Sequence, residues 1–304
     1  MKILYTIFLN RNFILVFAVI LGFIFGDYAV YFKDYTIYVL ALTMIFSTTG
    51  IETKALLPLK KLFKPMLVGT LLNYFLFGIV VLVLAWILMP SEELFMGFVV
   101  IVAAPPGVAV IPFTGILKGD IEYSIVGVFG AFIASIAIAP AIIELFSKHA
   151  EVSSWSLFLL MIKLVLVPLL LSRVLLFKPV FKYVARIRGK VVDWGFALII
   201  FTAVGMNRDV FFSNPVILVL SSVVLLVATF GIGSLYELIS KRSGIPSGRS
   251  ITQVLLLTIK SSGFSVVTAL TLFGKEAAIP SAILAVIVLL YLLFLSIRME
   301  IKKG

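Results

Sequence analysis

Two lysines stand where lysine is costly, inside long apolar runs. Lys260 lies in Thr258-Ile-Lys-Ser-Ser-Gly-Phe-Ser265 and Lys163 in Met161-Ile-Lys-Leu-Val-Leu-Val-Pro168. An ammonium group in such a place faces an anion in a cavity, holds backbone carbonyls, or gives up its proton during a working cycle. Lys260 follows Arg249 by 11 residues. That is about 16 Å along a helix at 1.5 Å per residue, close to the middle of a hydrocarbon core about 30 Å thick. Snorkelling from that depth is difficult, so Lys260 is expected to face a cavity or a partner. Lys163 has a shorter route to the surface, and its spacing suits a functional and a structural role equally.

The stretch around Lys260 has a counterpart. Val102-Ala-Ala-Pro-Pro-Gly-Val-Ala-Val-Ile-Pro-Phe-Thr114 places Pro105, Pro106 and Pro112 in mid-run, with Gly107 between them. Proline removes backbone donors, so an uninterrupted helix is not expected there. Ser261, Ser262 and Gly263 place polar and flexible groups at the equivalent point of the later run. Two ordinary kinks would serve packing alone. A matched pair of breaks beside a charge points instead to a midplane binding site, built from half-helix ends of both signs. Its candidate residues are Lys260, Lys163, Pro105, Pro106, Gly107, Phe113, Thr114, Ser261, Ser262, Gly263, Phe264 and Ser265.

Other chemistries are poorly provided for. The chain has no cysteine and one histidine, His149, in a polar loop. That leaves no nucleophile, acid or metal-ligand cluster at apolar depth apart from Asp193, near a segment end. Neither a cofactor nor a metal is expected, nor an enzyme. The net charge of +11 would suggest nucleic acid in a soluble protein. Here 62% of residues are hydrophobic and only 13% charged, a balance that needs lipid as solvent, so the bilayer and not nucleic acid is the expected partner.

These residues must be positioned by membrane helices. Ten apolar segments run over about 12–31, 35–51, 64–89, 92–117, 121–146, 155–177, 191–206, 213–237, 250–273 and 276–298. They do not alternate as barrel strands would. The first is read as a span rather than a cleaved signal, because no small-x-small site follows it. With ten spans and a cytoplasmic N-terminus, 19 of the 25 basic residues fall inside, four outside and two within the membrane. The positive-inside rule therefore favours both termini in the cytoplasm, and the loops suit a prokaryotic inner membrane. A faint repeat accompanies the count. Gly50 and Gly205 in related contexts, and Gly119 and Gly274, are both separated by 155 residues, and Gly107 and Gly263 by 156. Five spans per half make the repeat inverted, a mark of secondary transporters. The halves are 1–150 and 151–304.

Pro105-Pro-Gly-Val-Ala-Val-Ile-Pro-Phe-Thr-Gly-Ile-Leu-Lys-Gly-Asp120 resembles the Pro-Gly-Gly-Thr-Ala-Ser-Asn stretch, ending in Lys-Gly-Asp, of the bile acid:sodium symporter family. That family belongs to a wider group with arsenite and auxin-efflux carriers. Thr49-Gly-Ile-Glu52 and Pro140, closing segment five, also fit. The resemblance implies a core domain of segments 3–5 and 8–10 with crossed broken helices, a panel of segments 1, 2, 6 and 7, and alternating access by their relative motion. It implies an organic anion as substrate: a bile acid, a steroid sulfate or a small carboxylate.

The chain departs from the family where the family binds sodium. Val110 and Ile111 fall on its Ser-Asn pair, Lys260 on its glutamate, and Phe264 and Ser265 on its glutamine and asparagine. Phe132 and Ile136 replace expected hydroxyls, leaving Ser135. Hydrocarbon cannot ligate a hard cation. One glutamate with two sodium ions carries +1, as does one lysine. The resemblance, so altered, implies a sodium-independent carrier in which Lys260 replaces the sodium charge, with uniport, exchange or proton coupling open. The competing expectation is a sodium-coupled symporter with sites displaced onto oxygens such as those of Asn73, Thr114, Ser135, Ser261, Ser262 and Ser265. A membrane enzyme is disfavoured for want of catalytic groups, and a receptor because the length leaves no room for a soluble domain.

Overall fold

The structure, a computed structural model, describes residues 11–51, 62–107, 109–147 and 154–301. Glu52, Val108 and His149 lie outside them. Among the described residues the chain is helical. Seven helices are long and apolar enough to cross a membrane, and two shorter apolar helices, Phe13–Ile24 and Ser262–Leu272, accompany them. Side chains such as Trp86 (77%), Phe212 (74%) and Phe63 (73%) stand exposed around the outside. That surface is stable only against lipid, and the chain is a membrane protein.

In chain order the helices are α1 (Arg11–Ile24), α2 (Thr36–Thr48), α3 (Phe63–Leu88), α4a (Glu92–Ala103), α4b (Val110–Ile116), α5 (Ile121–Phe146), α6 (Ser154–Met161, continuing to Leu175), α7 (Lys178–Met206), α8 (Pro215–Arg242), α9a (Ser247–Thr258), α9b (Ser262–Leu272) and α10 (Ile279–Ile301). The two segments expected to be broken are broken. Their halves are too short to span singly, as is α1, which is why a length criterion finds seven spans where there are ten apolar runs.

Three boundaries differ from the hydropathy reading. The first run ends as an α-helix at Ile24, and Gly26–Tyr35 is a 3-10 stretch. Helix α7 runs from Lys178, well before the apolar part at 191. Apolarity marks only the lipid-facing length, whereas lysine and arginine are good helix formers and carry the helix onward. Pro140 does not close α5, which continues to Phe146. One lost donor is tolerable in a membrane helix whose neighbours re-satisfy the backbone. The hydroxyls of Thr48, Thr49 and Thr202 bond to carbonyls of their own helix at 2.6–2.8 Å. A β-hydroxyl always has a carbonyl three or four residues back within reach.

The helices pack against one another throughout, with α6 against α5 and α7 against α9b and α10. α7 lies along α1, α2 and the 3-10 stretch, and α6 packs on α2. α5 packs on α3 and α4a, α9a on α8, and α10 on α8, α9b and α4a. Arg173 of α6 closes the end of α2. Its guanidinium donates to the carbonyls of Thr48 and Ile51, both at 2.7 Å. Both carbonyls lie at or beyond the helix end, where intrahelical donors run out, and that of Thr48 also accepts the Ile51 N–H at 3.0 Å. Arg173→Met removes both bonds, and bonds to charged donors contribute about 1.5–3 kcal/mol each. A clear fall in the thermal midpoint of the purified protein is therefore expected, with Arg173→Lys intermediate because its ammonium cannot fork. Equal midpoints for all three would show that the contact contributes nothing.

The Lys-Gly-Asp motif has a structural account. Lys118, at φ 57°, ends α4b in the left-handed region, and the Gly119 N–H returns to the Thr114 carbonyl at 2.7 Å. A Cβ on Gly119 would sit 2.8 Å from Thr252 Oγ1, so only glycine fits. Asp120 then caps α5 by accepting from the Tyr123 N–H at 3.0 Å. Its own N–H donates to Thr252 Oγ1 at 2.8 Å. The motif thus fastens α4b and α5 to α9a.

Candidate functional site

The two breaks meet. Pro106 and Lys260 form an isolated antiparallel bridge. The Gly107 N–H donates to the Ile259 carbonyl at 2.8 Å, and the Ser261 N–H to the Pro105 carbonyl at 3.0 Å. Each unwound segment therefore satisfies part of the other's backbone, which at bilayer depth it must.

Lys260 is 1% exposed. Its Nζ donates to Asn73 Oδ1 at 2.7 Å, and to the carbonyls of Ala104 at 2.5 Å, Val102 at 2.9 Å and Asn73 at 3.3 Å. The rings of Tyr74 and Phe77 lie 4.6 and 5.5 Å away, within cation–π range. All four polar partners are oxygens acting as acceptors, which suits an ammonium with three protons. Proline creates this cage. In a continuous helix the N–H of residue 106 would bond to the Val102 carbonyl, but Pro106 has none. The orphan carbonyl at the negative end of α4a is taken by Lys260 instead.

Asn73 belongs to a π-turn, Leu71–Leu76, inside α3, a device frequent at functional sites. Its Nδ2 donates to the Leu256 carbonyl of α9a at 3.2 Å. One side chain therefore serves both half-helix ends: its oxygen holds the lysine beside α4a, and its amide caps α9a. A second π-turn, Val227–Gly231, sits in α8, 156 residues after the first.

On the other face of the crossing lies a small cavity of ≈ 50 Å³. Gly107, Phe113, Ser261 and Ser262 line it, with Leu15 of α1, Phe196 and Ile200 of α7, and Leu289 of α10. Lys260 also lines it, although none of the groups that hold its ammonium does. The N-terminus of α9b opens onto the cavity. No side chain caps that helix, so its first N–H groups and positive dipole end face the hydroxyls of Ser261 and Ser262. The volume has room for a few waters and is far below the roughly 300–1,000 Å³ of sites that enclose drug-sized ligands. The site is closed in this structure. Gly263 helps close it: a Cβ there would lie 2.6 Å from the Phe196 ring.

The remaining candidates scatter. Val110, Phe132 and Phe264 are fully buried in the apolar core, with Ile111 packed against it. The hydroxyls of Thr114, Ser135 and Ser265 donate to carbonyls of their own helices at 2.7, 2.6 and 2.9 Å. Lys163 lies in a π-turn, Ile162–Leu166, of α6. Its side chain is exposed and does not line the cavity beside the crossing. Lys163 is thus turned away from this cavity, whereas Lys260 lines it with its ammonium held by oxygens of α3 and α4a. Sequence reasoning missed Tyr74, Phe77, Phe196 and the Val102 and Ala104 carbonyls. Only Pro106 hinted at the Val102 carbonyl.

Residues 37–214 match the sodium bile acid symporter family. No curated protein matches the chain.

Proposed function

The chain belongs to the sodium bile acid symporter family, and on that premise we propose that it is a secondary transporter of organic anions that needs no sodium, because Lys260 supplies a fixed cation at the helix crossing. The observation that carries this reading is the four-oxygen cage around the Lys260 ammonium. Oxygens from a side chain and from half-helix carbonyls are what a monovalent cation would require there, and a covalently tethered cation holds the place. Apolar Val110, Phe132 and Phe264 offer no ligands for a further ion.

Ten spans in two inverted halves, 1–150 and 151–304, fit the spacing of the two breaks and of the π-turns in α3 and α8, near 155 residues in each case. In this reading α3–α5 and α8–α10 form a core, α1, α2, α6 and α7 a panel, and both termini face the cytoplasm of a prokaryotic inner membrane. The closed cavity opens to each side in turn as the panel moves.

Substrate recognition follows from charge. Two negative helix ends and two positive ones meet at the crossing, and the lysine leaves a net excess of +1. The accessible donors are the α9b N-terminus, Ser261 and Ser262, surrounded by hydrocarbon. That suits a carboxylate, sulfate or sulfonate attached to an apolar body. Uptake of labelled organic anions into proteoliposomes is expected to be equal in sodium and choline buffers. A strong sodium requirement would return the displaced-site symporter to first place. Stimulation by an imposed proton gradient would identify proton coupling.

A further inference from the structure

A second cavity, of ≈ 180 Å³, lies away from the crossing, between the ends of α8, α9a and α10 with Leu117 of the α4b end beside them. No residue of α1, α2, α6 or α7 is in its lining. Part of that lining is hydrocarbon, from Ile251 and Val254 of α9a and Leu295 and Met299 of α10, and part is charged, from Glu237, Lys241 and Arg298. Glu237 accepts from Lys241 at 2.6 Å and from Arg298 at 2.7 and 3.3 Å. Both its oxygens are thereby taken. The ammonium and the guanidinium carry further N–H groups, which donate to nothing else among the described residues. One cation would balance Glu237, so the second is surplus to the pair. The cavity therefore has an excess of positive charge and of donors.

The depth of these cations is set by their neighbours. Phe294, one turn before Arg298, is 42% exposed, and Leu238, one turn before Lys241, is 48% exposed. Residues three or four apart share a helix face, so the cations stand one turn beyond side chains that need acyl chains around them. That is headgroup depth. Arg242 and Arg249 belong to the same helix ends, which in the proposed topology face the cytoplasmic leaflet with its anionic surface.

We propose that this cavity binds an anionic phospholipid: the phosphate takes the remaining N–H groups of Lys241 and Arg298, and the upper part of an acyl chain covers the hydrocarbon lining. A free inorganic anion is a poorer occupant, because it satisfies the donors and leaves the apolar lining unmatched. Bound there, the lipid ties together the ends of α8, α9a and α10. The inference is independent of what the protein carries.

The test is the thermal midpoint of the full chain in neutral detergent, titrated with dioctanoylphosphatidylglycerol, dioctanoylphosphatidylcholine or inorganic phosphate at matched ionic strength. Wild type should be stabilised by the glycerol lipid at much lower concentration than by the choline lipid, and not by inorganic phosphate. Lys241→Gln keeps the Glu237–Arg298 pair and should fold. One lysine near a membrane surface contributes about fivefold in affinity for anionic lipid, so this variant should need about five times more lipid for half of the gain. Met299→Trp fills the apolar part of the cavity without touching its charges and should weaken the response to a similar degree. Arg242→Gln removes the same charge from a neighbouring exposed residue outside the lining and should titrate as wild type does. Equal responses of wild type to the two lipids, or wild-type titrations in both Lys241→Gln and Met299→Trp, would overturn the site. An equal gain from inorganic phosphate would overturn the lipid as its occupant.

Discussion

Lys260→Ala is expected to abolish uptake in buffers free of small amines, and primary alkylammonium ions are expected to restore part of it. The substitution leaves the carbonyls of Val102 and Ala104 and the oxygen of Asn73 facing an empty, dry space at the negative end of α4a. Each buried acceptor left unpaired costs about 1–3 kcal/mol. Together they amount to roughly 3–5 kcal/mol, the scale measured when one side of a buried ionic network is removed. Against a total stability of about 5–15 kcal/mol, the crossing would be loosened without certain loss of the fold. Ethyl- or propylammonium supplies the same donors and fills the void. Both thermal stability and uptake should therefore recover as the ion is titrated in. Lys260→Met is the control. Its side chain occupies the void and excludes the ion, so no recovery is expected. Lys260→Glu places a carboxylate among the same oxygens, and any uptake it shows should require sodium. Wild-type stability and uptake in Lys260→Ala would refute a working role for the ammonium.

The second large effect is expected at Gly263, and it concerns motion rather than charge. An added Cβ would sit 2.6 Å from Cδ1 and Cε1 of Phe196. No real Cβ approaches that closely, so either α7 retreats or the ring finds another rotamer. Overpacking of this kind costs about 1–3 kcal/mol. That cost falls only on the closed arrangement, so the population of open states should rise about 5- to 150-fold. The chain has no cysteine, which makes the measurement direct. With Ser262→Cys as a reporter in the cavity wall, a membrane-impermeant maleimide should label Gly263→Ala much faster than the parent. Adding Phe196→Ala removes the ring and should return labelling toward the parent rate. Identical rates in all three proteins would show that this contact does not hold the cavity shut.

Much of this molecule was legible before any coordinates. Composition required a lipid environment. The apolar runs located the helices, and α5 matches its run from 121 to 146 at both ends. Prolines 105 and 106 and the Ser-Ser-Gly stretch marked both breaks, because the signals that stop a helix are local and act within about four residues. The cost of a buried charge singled out Lys260 in the same way. Lys163 shows the limit of that argument. It has equally apolar neighbours, yet its side chain is exposed. A run of leucine and valine says that a segment lies in the membrane, but not which face of it turns to lipid.

What the sequence by itself determined is therefore the class of molecule, its helices, their interruptions and the presence of one cation at mid-depth. Tertiary structure alone decided what surrounds that cation. The oxygens around Lys260 stand 156–187 residues away in the chain, Phe196 reaches Gly263 from another helix, and α1 meets α10 from the opposite end of the sequence. Helix breaks follow from the covalent chemistry of a few adjacent residues. A cage and a closed cavity follow from which faces of distant helices are pressed together, and no local pattern encodes that choice.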